Sequence, residues 1–175
     1  MRGIRNNNPL NIRHSADRWQ GARKEQTDKA FVQFETMAYG YRAAWKVLDS
    51  YWKHFRKRKK AYNVRNIIAR WAPPSENYTE AYIRHVTRLS GLGANENMVR
   101  PSNGRQLERM ALLITAMTCV ENGTDMDQVD QAAIWQGYDL AWPDRRWTEQ
   151  EEDQEEKEEV PPTLWDEYWD WSVEV

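Results

Sequence analysis

Residues 107–123 read LERMALLITAMTCVENG, and this stretch decides the fold. Between Met110 and Val120 only Thr115 and Thr118 interrupt an apolar run that covers nearly every side of a helical wheel. A helix that is apolar all round has to be buried all round. The run is too short for the ~20 residues that cross a bilayer, so it predicts the central buried helix of a globular core. Gly123 stands where such a helix stops, and Glu121 falls in its last turn. Desolvation and the negative helix end there both favour a protonated acid. Cys119 lies inside the run and is the only cysteine, so no internal disulfide can form. A core thiol is the expected role for it.

Working back towards the N-terminus, Tyr82, Ile83, Val86 and Leu89 form the apolar stripe of another helix, with GLG at its end. Asn77 and Glu80 have capping-box spacing at its start. Pro73 and Pro74 close a preceding helix with the stripe Val64, Ile67, Ile68 and Trp71, for which Asn63 is the expected cap. Val47, Leu48, Tyr51, Trp52 and Phe55 mark a longer helix from Ala44 into the basic run KHFRKRKK. The first 30 residues are rich in turn formers and charge, and the short alternations LNIR and FVQF predict a small two-stranded element. Past Gly123, Asp127 is the expected cap of a last helix through Val129, Ala132, Ala133 and Trp135. The fold class is therefore mainly α. A helical domain over 1–147, with a small N-terminal β element and a long buried central helix, precedes an acidic, Trp-rich tail over 148–175.

Charge divides the same way. From Glu149 onward twelve acidic residues face one Lys, a net −11, while the preceding 24 Lys and Arg against 15 Asp and Glu leave the body at +9. A basic body implies an anionic partner: wall polymer, nucleic acid or membrane surface. The tail EQEEDQEEKEE repels itself, and PPTLWDEYWDWSVEV reads as a docking segment for its own body or for a partner in an assembly. The opening MRGIRNNNPLNIR lacks the apolar segment of a secretion signal, so synthesis in the cytoplasm without a signal peptide is expected. No span long enough to cross a membrane is present in the sequence.

The three His and one Cys show no HExxH or CxxC spacing, and no GxSxG, GxxxxGK or GxGxxG occurs, so metal, nucleophile and nucleotide chemistry find no motif. Two glutamates in unlike settings remain. Glu76 precedes a helix start, where the dipole favours the charged carboxylate, and Glu121 ends the most apolar helix. Two carboxylates with proton affinities pushed apart suit glycoside cleavage, one donating a proton and the other facing the developing cation.

The blocks RGIRNNNPLNIR (2–13), WQG (19–21), FVQF (31–34), YGYRAAW (39–45), IIARWAPPSENYTEAYIRHV (67–86) and the closing ENG (121–123) resemble a family of tailed-phage and bacterial-genome proteins. That family is known as phage virion structural protein P5. It is similar to lysozyme-like and lytic-transglycosylase-like domains. The resemblance implies cleavage of peptidoglycan glycan strands with Glu76 and Glu121 as the catalytic pair and no metal or cofactor. It also implies that Arg5, Asn7, Asn8, Asn11, Asn77 and Tyr82 line the cleft and that Trp71 stacks on a sugar. Action would be at the bacterial cell wall or within a virion. The alternative is a non-catalytic virion or assembly protein that keeps the fold and binds wall or partner proteins. A nucleic-acid protein using Lys53–Lys60 is the least favoured reading.

Overall fold

The computed structural model describes residues 1–75, 77–101 and 107–144, all within one compact unit, Met1–Arg145. Glu76 and the whole tail expected from 148 lie outside the described residues. Six α-helices are present among the described residues, with no β-strand: α1 (Arg2–Arg5), α2 (Met37–Lys57), α3 (Val64–Trp71), α4 (Thr79–Ser90), α5 (Leu107–Asn122) and α6 (Gln131–Ala141). No described helix is long and apolar enough to cross a membrane.

The central helix is α5. Met110, Leu113, Ile114, Ala116 and Met117 are fully buried, and Leu112 is its one large apolar side chain among the exposed. Thr115 and Thr118 are buried too, and each satisfies its hydroxyl by donating to the carbonyl four residues back, Ala111 and Ile114. Gly123 ends the helix in the left-handed region, φ 62°, a conformation that costs glycine nothing.

Helix α2 begins before Ala44, capped by Thr36, whose hydroxyl accepts from the Tyr39 N–H at 3.4 Å. Its first turns, MAYGYRAA, have no apolar stripe because small residues let neighbours approach closely. A Cβ on Gly40 would stand 2.0 Å from the Asn7 carbonyl oxygen. Against α2 lies α6. Trp45 is fully buried between them and donates its indole N–H to Ile134 O at 3.0 Å. The rings of Trp135, Tyr138 and Trp142 surround it at 6.4, 5.2 and 6.3 Å.

Three expectations need correction. LNIR and FVQF do face each other, but only isolated antiparallel bridges form, Arg13 with Phe31 and Ala22 with Phe34. Side chains occupy the groups that a ladder would use: Asn8 donates to Ile12 O and Val32 O and accepts from Ile12 N, all within 2.9 Å. Helix α4 is not capped by Asn77. It starts at Thr79, whose hydroxyl donates back to Ala72 O at 2.5 Å, while Glu80 pairs with Arg65 of α3 at 2.6 Å. Asp127 does not cap the last helix: it falls in a 3-10 turn, Met126–Gln128, and Asp130 caps α6 by accepting from Ala133 N–H at 2.9 Å. Asn63 caps α3 through Asn66 N–H at 2.9 Å, in agreement with its spacing.

Candidate functional site

Glu121 lies in the last turn of α5 and is half-buried. Three elements reach its carboxylate. Asn11, from the loop after α1, donates its amide to Oε2 at 2.8 Å. Trp71, the last residue of α3, donates its indole N–H to Oε1 at 3.2 Å. Tyr82 of α4 donates its hydroxyl to the same oxygen at 2.9 Å. Both oxygens are acceptors, and all three partners are donors. This ring of donors comes from 110, 50 and 39 residues away.

Each donor is held by local folding. Asn11 adopts a left-handed backbone, φ 51°, which asparagine tolerates better than most residues, and its N–H is tied to Asn8 O at 3.0 Å. Pro73 and Pro74 follow Trp71 at the end of α3, and the Thr79–Ala72 bond fastens the start of α4 beside it. The Trp71 ring also meets Tyr51 edge-on at 6.2 Å. Burial, then the charge and the hydrogen bond of Glu121, push the Tyr82 hydroxyl well above the usual phenol range, so it remains a donor into alkaline solution.

Of the residues singled out in the sequence, Asn11, Trp71, Tyr82 and Glu121 are brought together. Asn7 and Asn8 are not on the carboxylate. Asn7 donates to Phe34 O and Glu35 O at 3.2 and 3.0 Å, and Asn8 fastens the segment as described above. Arg5 is exposed at the end of α1. Asn77 is exposed and donates only a long bond, 3.4 Å, to Pro73 O. Glu76 lies outside the described residues. A residue missed in the sequence is Asn122, buried beside Glu121 and donating to Pro9 O at 2.7 Å, which ties the end of α5 to the N-terminal segment. Its signal was its place in ENG, read there only as a helix end. Two amide oxygens in this neighbourhood, Asn11 Oδ1 and Asn122 Oδ1, are buried with no hydrogen-bond partner among the described residues.

A crevice of about 280 Å³ opens elsewhere, on the N-terminal segment, lined by His14, Asp17, Arg18, Trp19 and Arg23 among others. None of the four residues of the Glu121 cluster lines it.

Over 143 residues the chain is 34% identical to Protein P5 of Pseudoalteromonas phage PM2, covering 78% of this chain and 82% of that protein. The chain belongs to the phage Protein P5 family. No protein-family model matches it. The P5 relationship joins a phage protein to a mainly helical domain in which one carboxylate collects donors from three separate segments.

Proposed function

We propose that this P5-family chain is a phage cell-wall protein of lysozyme-like design that cleaves peptidoglycan glycan strands, with Glu121 and Glu76 as its two carboxylates. The supporting observation is the convergence of Asn11, Trp71 and Tyr82 on Glu121. A fixed carboxyl group bordered by an indole and a phenol is the composition of a sugar site: the carboxyl group faces the glycosidic bond, and rings pack on sugar faces. In this reading Glu121 is the acid that protonates the leaving oxygen, and Glu76, which follows the Pro73–Pro74 pair in the sequence, is the base or stabiliser. The +9 body favours an anionic wall.

The test is release of soluble fragments from purified sacculi. Glu121→Gln is a clean probe because the Asn11 amide can turn so that its unpartnered Oδ1 accepts the new amide N–H, while Trp71 and Tyr82 still donate to the remaining oxygen and the ionisable group is lost. Loss of release by both Glu121→Gln and Glu76→Gln, with unfolding midpoints near wild type, is the expected result. A wild-type protein that releases nothing defeats the reading.

The same three donors favour a second reading. A carboxylate bound at both oxygens is also a good tie between the N-terminal segment, α3 and α4, as in a non-catalytic assembly protein with this fold. On that reading Glu121→Ala lowers stability and the protein binds sacculi without turnover.

A further inference from the structure

A second cluster lies on the neighbouring face, where the end of α2 meets α3. Arg58 Nη1 lies 2.7 Å from His54 Nδ1, and Arg70 Nη1 approaches its Nε2 at 3.2 Å. Neither arginine pairs with a carboxylate among the described residues. Partial burial, then the charges of Arg70, Arg58 and Lys60, hold His54 below the ordinary histidine range, so the ring is neutral at pH 7. A neutral imidazole has one acceptor lone pair and one N–H. Two guanidinium groups therefore compete for one lone pair, and the loser faces the ring N–H, donor against donor. An oxyanion resolves the conflict, because it only accepts and can take hydrogen bonds from all three groups at once.

The cluster is connected to Glu121. Arg70 lies 4.8 Å from the centroid of the Tyr51 ring, that ring meets Trp71 edge-on at 6.2 Å, and the Trp71 N–H is on the carboxylate. Two aromatic rings, Tyr51 and Trp71, thus link the cationic cluster to the Glu121 carboxyl group. Among the other cations at this helix end, Lys53 pairs with Asp49 at 2.9 Å and Arg56 lies over Trp52 at 5.0 Å, while Lys57 and Lys59 are exposed.

We infer that Arg58, His54 and Arg70 form an oxyanion subsite for a carboxylate of the short acidic peptides that hang from wall glycan. The assignment rests on the wall-acting reading given above, and it makes the peptide-bearing strand the preferred substrate over bare glycan.

The experiment follows the His54 ring resonances of the full chain by NMR during titration with the free wall tetrapeptide. Parallel titrations use the same peptide with its carboxylates amidated, inorganic phosphate and a short DNA duplex. Saturable shifts with the free peptide and none with the amidated one are expected, and Arg58→Gln and Arg70→Gln each weaken binding roughly ten-fold, the loss of one charge-assisted bond. A flat titration, an equal response to the amidated peptide, or phosphate or duplex binding as tightly as the peptide overturns the inference. The readout involves no bond cleavage, so the two readings fail separately. A chain that binds the peptide and leaves glycan intact defeats only the lytic reading; one that cuts glycan and ignores the peptide defeats only the subsite.

Discussion

Trp45 and Trp71 are the same side chain put to two uses. Trp45 is fully buried between α2 and α6, and its N–H ends on a main-chain carbonyl. Trp71 is half-buried, and its N–H ends on a carboxylate. In the first region the indole is closed off by backbone, so a change there can only weaken the scaffold. In the second, donors from three separate segments gather on one carboxyl group. The difference teaches a way to tell scaffold from site when both are aromatic: follow the polar atom, not the ring.

The sharpest way to break this comparison is to measure both regions on one stability scale. Trp45→Ala empties the α2–α6 contact, and the expected loss is about 3–5 kcal/mol by urea unfolding, with wall activity falling only as far as the chain unfolds. Gly40→Ala presses a methyl against the Asn7 carbonyl and lowers stability by roughly 2 kcal/mol in the same assay, since backbone on both sides must move. Trp71→Phe keeps the ring beside Tyr51 and deletes one donor to Glu121. It is expected to cost about 1–2 kcal/mol while impairing action on sacculi out of proportion to that loss. If Trp71→Phe proves as destabilising as Trp45→Ala, the distinction between the two regions collapses.

The smallest effect is in acid. Hydrogen bonds from Arg2 and Asn6 hold the Asp28 carboxyl far below the carboxylate range. Burial pushes Asp49 up, but hydrogen bonds and charge from Lys53 and Arg100 outweigh it and leave it depressed. A depressed carboxyl stabilises the fold above its unfolded value, near about 4, and that contribution drains as pH falls further. The share of stability that these two carboxyls supply should therefore hold steady above about pH 4 and decline below it, so that unfolding midpoints fall less steeply below about pH 4 in Asp28→Asn and Asp49→Asn.

How much of this was legible depended on how far each interaction reaches. The Asn63 cap spans three residues, and the burial of α5 is written in its own composition, so both could be read directly. The Asn77–Glu80 spacing looked equally local and misled, because Glu80 found a better partner in Arg65 and Thr79 reached back to Ala72. Glu121 stood out as an acid at the end of an apolar helix, yet its hydrogen-bond partners come from segments that no spacing rule connects. The asparagine run shows the limit most clearly: Asn7 and Asn8 fasten a loop, Asn11 reaches the carboxylate, and nothing in NNNPLN separates the two roles. The β alternations misled for a related reason, since buried amide side chains took over the pairing groups.

Position 11 meets two demands at once, a left-handed backbone and a hydrogen-bond donor aimed at Glu121. Glycine satisfies the first and supplies no donor; glutamine or lysine supplies a donor and strains the chain; aspartate fits the backbone and sets like charges face to face. A library randomised at this codon and selected for function should therefore return asparagine almost alone, whereas one selected only for folding should admit glycine and aspartate beside it.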